Sequence, residues 1–208
     1  DYQKAMEWYQ KAASQNNAFA QSNIGGLYHN GCGVAQDYQK AMEWYQKAAS
    51  QNNAFAQSNI GILYHNGCGV AQDYQKAMEW YQKAALQNNA FAQYNIGYLY
   101  HYGCGVAQDY QKAMEWYQKA ASQNNAAAQN GIGHLYHSGQ GVVQDYQKAM
   151  EWYQKAAAQN NSTAQYNIGV LYHYGQGIAQ NYQKAKEWYQ KAADNGYSQA
   201  NEVLKNFN

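Results

Sequence analysis

The segment DYQKAMEWYQKAA recurs at Asp1, Asp37, Asp73, Asp109 and Asp145 and returns as NYQKAKEWYQKAA at Asn181, each copy 36 residues after the last. A fixed period of this length marks a repeat architecture, in which one supersecondary unit cannot bury its apolar face alone and must stack on its neighbours. A search for conventional domain boundaries is then beside the point. Within the unit Asn17 to Asn52, Ala20, Ile24, Leu27 and Tyr28 fall at offsets of three and four, as do Tyr38, Ala41, Trp44, Tyr45, Ala48 and Ala49. That spacing predicts two helices. Between them Gly31-Cys32-Gly33-Val34 supplies a C-cap and a reversal, and Asp37 stands at the expected N-cap of the second helix. Asn52-Asn53 and its equivalents combine tolerance of left-handed backbone with capping of the next helix.

In this register residues 1–208 form one repeat domain. It starts with an orphan second helix (1–16), continues through full repeats at 17–52, 53–88, 89–124, 125–160 and 161–196, and closes with a terminal helix over 197–208. The expected fold is all-α. Glu202 and Lys205 replace a stripe residue and the packing glycine in the last helix, as a helix with one face in water requires. Trp44 and Tyr45 with Ala48 and Ala49 are expected to make the core, and Gly25 to let a neighbouring helix approach.

The pattern A-x-A-Q-x-N-I-G-x-L-Y-x-x-G-x-G-V-x-Q-D-Y-x-K-A-x-E-W-Y-x-K-A-A, read from Ala18 to Ala49, resembles the Sel1-like repeat, a relative of the tetratricopeptide repeat. The resemblance covers essentially the whole chain. It implies a right-handed α-solenoid of antiparallel helix pairs, with first helices lining the concave side, and use as an adaptor in protein complexes. Such repeats often have Pro before the second helix, where this chain has Ala35, Ala71, Ala107, Val143 and Ala179. Pro is helpful there but dispensable. Disulfide-bonded relatives have two cysteines per unit, which this chain lacks.

Composition excludes several functions. Fourteen Lys, no Arg, and 13 Asp and Glu leave a charge of +1, so no field exists to gather nucleic acid or an anionic membrane. The longest apolar stretches fall far short of the roughly 20 residues that a membrane helix needs. The acids lie almost entirely in the DYQKAMEW segment, where Glu43, Lys47 and Lys40 are spaced for exposed helix-surface pairs, and no nucleophile or paired-carboxylate arrangement is present. The chain reads as non-enzymatic and without a cofactor. His29-x-x-Cys32 has metal-ligand chemistry, but His137 and His173 keep the histidine while Gln140 and Gln176 replace the cysteine. A cation at a helix C-terminus accounts for the histidine column, and no metal is expected. Equivalent cysteines of adjacent hairpins should lie about 10 Å apart, too far for a disulfide, so Cys32, Cys68 and Cys104 read as free thiols and favour a reducing, cytoplasmic compartment. The start at Asp1 leaves a processed leader open. Overlapping sequons at Asn160 and Asn161 matter only in a secretory pathway.

Comparison of the five repeats with one another locates the variation. It gathers at Phe19, Phe55, Phe91, Ala127, Thr163; at Ser22, Ser58, Tyr94, Asn130, Tyr166; at Gly26, Ile62, Tyr98, His134, Val170; and at Asn30, Asn66, Tyr102, Ser138, Tyr174. These offsets trace one stripe of the first helix, opposite Ile24 and Leu27. Amphipathic aromatics dominate interface hot spots, so the stripe is expected to bind a protein or peptide. The candidate contacts are Tyr94, Asn95, Tyr98, His101 and Tyr102, then Asn130, His134 and His137, then Tyr166, Asn167, Val170, His173 and Tyr174. The asparagines at 23, 59, 95 and 167 either bond a ligand's backbone or satisfy a neighbouring helix. A carbohydrate- or cell-wall-binding module is a competing reading, because tyrosine and histidine also stack on sugars. A third is an engineered or fragmentary array, since the first two full repeats differ only at Gly26/Ile62 and Ser50/Leu86.

Overall fold

The computed structural model describes residues 1–207, and among these the elements are twelve helices with no strand. The chain divides into two compact units, Asp1–Gln108 and Asp109–Asn208. The first holds α1 (Tyr2–Ser14), α2 (Ala18–Asn30), α3 (Tyr38–Ala49), α4 (Ala54–Asn66), α5 (Tyr74–Ala85) and α6 (Ala90–Tyr102). The second holds α7 (Tyr110–Ser122), α8 (Ala126–Ser138), α9 (Tyr146–Ala157), α10 (Ser162–Tyr174), α11 (Tyr182–Asp194) and α12 (Ser198–Lys205). Within each unit every helix packs on its chain neighbours, the tightest pairs being α2 with α3, α4 with α5, α8 with α9 and α10 with α11. These are the hairpins that the 36-residue period predicts, and the fold is an all-α solenoid of helix pairs.

The chain ends of each helix are set by the residues that the sequence places there. Asp37 accepts the Lys40 backbone N–H at 2.9 Å, and Asp73, Asp109 and Asp145 repeat the bond at Lys76, Lys112 and Lys148. First helices are capped by asparagine, as where Asn53 Oδ1 accepts the Ala56 N–H at 2.8 Å. The preceding Asn52 sits at φ +63°, so the two asparagines of each turn divide the work, one turning the chain and one capping. Gly31 at φ +67° closes α2 with its N–H on the Leu27 carbonyl.

A network absent from the sequence reading ties successive turns together. Gln51 Nε2 donates both to Gln21 Oε1 (2.8 Å) and to Asn16 Oδ1 (3.1 Å), while Gln21 Nε2 also donates to Asn16. Gln87 does the same with Gln57 and Asn52, and Gln159 with Gln129 and Asn124. The left-handed asparagine is therefore also an acceptor, which glycine could not be. At the last turn Asn195, one methylene shorter, bonds Gln165 Oε1 at 2.9 Å, and Gln165 Nε2 faces the Ala157 carbonyl at 3.5 Å.

The core corrects one expectation. Tyr45, Tyr81, Tyr117, Tyr153 and Tyr189 are essentially fully buried, whereas the tryptophans beside them are only half-buried, and Trp8 is 69% exposed. The tyrosine ring lies flat over a glycine of the first helix: a Cβ on Gly25 would stand 2.6 Å from Tyr45 Cδ1, and one on Gly61 2.5 Å from Tyr81 Cε1. The glycine brings the pair together, and the tyrosine fills what the missing side chain leaves. The tryptophan instead lies against the cluster made by the first helix of its own repeat and the second helix of the repeat before, Trp44 on that of α1 and α2 and Trp80 on that of α3 and α4. Trp8 is exposed because no repeat precedes it among the described residues. The other face of each tryptophan is covered by a lysine, Lys47 Nζ lying 4.3 Å from the Trp44 centroid and Lys83 4.0 Å from that of Trp80. The ion pairs correspondingly differ from expectation: Lys40 bridges its own cap, Asp37, at 3.4 Å, while Lys47 is engaged by the ring.

Candidate interaction surface

Most stripe positions of the first helices stay out of the core because Ala20, Ile24, Gly25 and Leu27 occupy the packed side, but Ser22 and Ser58 are buried with them. None of the five first helices contains Asp, Glu, Lys or Arg; every carboxylate and ammonium belongs to a second helix, its cap, or α12. The surface is thus uncharged apart from whatever its histidines carry.

In the first unit, α6 presents an aromatic wall. Tyr98 lies 4.5 Å from Tyr102, 6.5 Å from Tyr94 and 5.4 Å from His65 of α4, ring centre to ring centre. Tyr102 is exposed, and Tyr94 and Tyr98 are half-buried. Burial, with Tyr102 and Tyr98 nearby, pushes the Tyr94 hydroxyl up to about 12, and burial also raises Tyr98, so both stay neutral hydrogen-bonding groups. Two predicted contacts are turned away from solvent. Asn95 is buried with its amide on the Phe91 carbonyl at 2.8 Å, and His101 is buried, stacked on Tyr102 at 4.5 Å.

In the second unit the predicted residues are more dispersed. Asn167 Nδ2 donates to Asn130 Oδ1 at 3.1 Å, so these two stripe amides bond one another. His137 Nε2 meets Gln176 Oε1 at 3.0 Å. His134 is half-buried, and burial followed by the neighbouring His137 lowers its pKa. Tyr166 is packed between Tyr189 (5.2 Å) and Tyr197 (4.9 Å), Val170 is half-buried, and Tyr174 is exposed. His173 is flanked by Tyr182 and by Phe207, each 5.4 Å or closer.

Two readings of the sequence change here. The histidine column is not generally a set of helix-end cations: burial depresses His29 and His65, whose Nδ1 atoms are enclosed without a hydrogen-bond partner and whose rings meet Tyr38 and Tyr74 edge-on at 5.4 and 5.3 Å. They act as neutral packing aromatics. The asparagines at 23, 59 and 95 donate to the carbonyl four residues back in their own helix, which answers the question of their partner. What the list of candidate contacts left out is Phe19, Phe55 and Phe91, exposed by 67%, 56% and 44%. The signal was available, because they head one of the variable columns. Cys32, Cys68 and Cys104 are half-buried free thiols, and no cluster of three or more His, Cys, Asp or Glu that could hold a metal occurs among the described residues. No described helix is long and apolar enough to cross a membrane.

A chain of antiparallel helix pairs, with tyrosine seated on glycine in α2–α3, α4–α5, α8–α9 and α10–α11, defines an α-helical repeat protein. The chain belongs to the Sel1 repeat family, whose profile matches residues 1–17, 18–53, 54–89, 90–125, 126–161 and 162–197. It is similar to a Sel1 repeat protein from Oxalobacter formigenes, with 40% identity, a TM-score of 0.86, and coverage of 96% of this chain and 81% of that one. A protective antigen of uropathogenic Escherichia coli with the same repeat fold is 37% identical at a TM-score of 0.78, covering 98% of this chain and 44% of its own. An immunity protein of Pseudomonas aeruginosa is 25% identical at 0.61, covering 95% of this chain and 68% of its own. Among curated proteins none matches the chain. Sel1 repeats form a generally non-catalytic fold used for protein–protein interaction.

Proposed function

We propose that this chain is a non-enzymatic interaction module that takes a peptide or partner protein on its first-helix face, the face that the family resemblance makes concave. The observation that carries this reading is the separation of duties within each repeat: the packed columns are nearly constant, and the stripe that varies is uncharged and holds the exposed aromatics Phe19, Phe55, Phe91, Tyr102 and Tyr174. Aromatic side chains supply large contact area at low entropic cost, and a few of them carry most of a typical interface. In the first unit Tyr98 and Tyr102, already in tilted contact at 4.5 Å, form the anchor; in the second, Tyr174 with His134 and Tyr166 offers a separate set. Recognition here depends on shape and neutral hydrogen bonds.

Affinity capture against a peptide library and a glycan array tests the proposal. Tyr98→Ala or Tyr102→Ala should each weaken a captured peptide by about 2 kcal/mol, with little change between low and high salt. Ser22→Ala and Asn30→Ala should do much less. Capture of glycans alone, or affinity that collapses with salt, would move the site off this face.

A further inference from the structure

The last turn of the second unit departs from the network that holds Asn16, Asn52 and Asn124. In that network one asparagine oxygen receives two N–H donors: Asn124 Oδ1 accepts from Gln129 Nε2 and from Gln159 Nε2, both at 3.1 Å, and Asn16 and Asn52 repeat the arrangement in the first unit. The equivalent acceptor at the last turn is Asn160. Among the described residues neither donor reaches it. Asn195, shorter than glutamine, stops at Gln165 Oε1 (2.9 Å), and Gln165 Nε2 turns to the Ala157 carbonyl at 3.5 Å, the outer limit of a bond. Gln165 is only 3% exposed, so this one long bond leaves a buried donor poorly satisfied.

A hollow of about 590 Å³ opens at these groups, walled by the C-terminal halves of α9 and α11. Every residue lining it has the same identity 36 residues earlier except two, Ala158 for Ser122 and Asn195 for Gln159. Both are smaller. The space therefore widens beside Asn160 and Gln165, while Gln154, Trp188 and Lys191 remain as walls. No lining residue belongs to the first-helix stripe, so this is a second site. The molecule itself shows which group completes such a site, because Gln51, Gln87 and Gln159 each bring a primary carboxamide to the equivalent asparagine. An incoming glutamine offers the same N–H to Asn160 Oδ1, and its carbonyl oxygen can accept from Gln165 or Gln154. A carboxylate of the same shape has no N–H to give and would set lone pairs against Asn160 Oδ1. Lys191 would attract it, but that ammonium already lies over the Trp188 ring, 4.3 Å from its centroid. A cationic side chain would meet Lys191 itself, and a thioether brings no donor.

We infer that this hollow binds a glutamine side chain of a partner peptide or protein, its carboxamide taking the place at Asn160 that Gln159 holds at Asn124. The site stands apart from the first-helix face and does not rest on it.

The test is NMR titration of the full chain with four tripeptides, Gly-Gln-Gly, Gly-Glu-Gly, Gly-Met-Gly and Gly-Lys-Gly, each N-acetylated and closed as an N-methylamide, and with free glutamine. The glutamine peptide should shift the side-chain amide signals of Asn160 and Gln165 and the indole signal of Trp188, and should bind at least about ten-fold tighter than the other three. Asn195→Gln should abolish that binding by closing the network from within, while the chain melts no lower than the parent. Ala158→Leu, which installs the residue found at Leu86, should weaken it. Equal binding of the glutamate or methionine peptide, no binding of the glutamine peptide, or a glutamine preference that survives Asn195→Gln overturns the inference. Binding of free glutamine without the peptide overturns the partner as its source.

Discussion

Helices α4 and α5 belong to one repeat and share one core, yet they are built from different chemistry. The α5 sequence is identical in α3 and α9, and it contains two lysines, a glutamate, a tryptophan and the fully buried Tyr81. The α4 sequence has no charge, and its counterparts α2, α6, α8 and α10 all differ from it. The difference teaches where stability and recognition reside. Second helices hold the repeats together through a tyrosine inserted over glycine, a tryptophan laid on the cluster of the two preceding helices, and charges kept on the outer surface. First helices need only Ala, Ile, Gly and Leu on one side, which leaves the other free to vary.

The largest effect that could break this contrast is at the tyrosine. Tyr81→Ala should cost about 3–5 kcal/mol in denaturant unfolding, as for other large-to-small core changes, whereas half-buried Trp80→Ala should cost about half as much. Equal losses would restore the tryptophan as the core residue. Next is Gly61→Ala. Glycine to alanine within a helix ordinarily stabilises, but here the new methyl meets the Tyr81 ring at 2.5 Å, so a loss of about 1–3 kcal/mol is expected. A gain would mean that the ring is not seated on α4.

Acid should loosen the same contacts. The half-buried imidazoles of His29, His65 and His134 have pKa values below their ordinary 6.5, so the unfolded chain binds protons there more readily than the folded one. Their contribution is complete above 6.5 and is lost as pH falls through the folded values. The capping carboxylates, depressed chiefly by the backbone N–H bonds of Lys40, Lys76, Lys112 and Lys148, are lost only below their ordinary 3.8. Melting temperature should therefore begin to drop near pH 6, well before the aspartates titrate. NMR titration placing His29 or His65 above 6.5 would contradict this. A smaller effect is a gain: Asn195→Gln should rebuild the glutamine–asparagine network with Gln165 and Asn160, adding about 0.5–1.5 kcal/mol. No change in the melting temperature would show that the network is incidental.

The parts of this fold legible in the sequence are the local ones. The 36-residue period, Gly31 as C-cap, Asn53 and Asp37 as N-caps and Asn52 in left-handed backbone each depend on a few adjacent residues. Trp44 and Tyr45 are neighbours on one helix, and apolar periodicity cannot choose between them; the choice is made by the position of Gly25 on the opposing helix. The charge of His65 depends on burial by its surroundings, a tertiary property. Asn59 has two chemically equal prospects until its rotamer is known. The glutamine network was in principle visible, as glutamines and asparagines kept in phase at separations of 30 and 35 residues. The interaction stripe was legible because repeats within one chain can be compared. Phe55 stands in one of the variable columns, but its 56% exposure is a tertiary property that no neighbouring residue marks.

The central claim, that the first-helix stripe is dispensable for folding, is tested most directly by denaturant unfolding of a chain carrying Phe55→Ala, Phe91→Ala and Tyr102→Ala together. Surface changes of this kind are worth about 0.5 kcal/mol or less each, so the triple variant should unfold within about 1.5 kcal/mol of the parent, well short of the Tyr81→Ala loss. A loss equal to that of Tyr81→Ala would make the stripe part of the core and contradict the account.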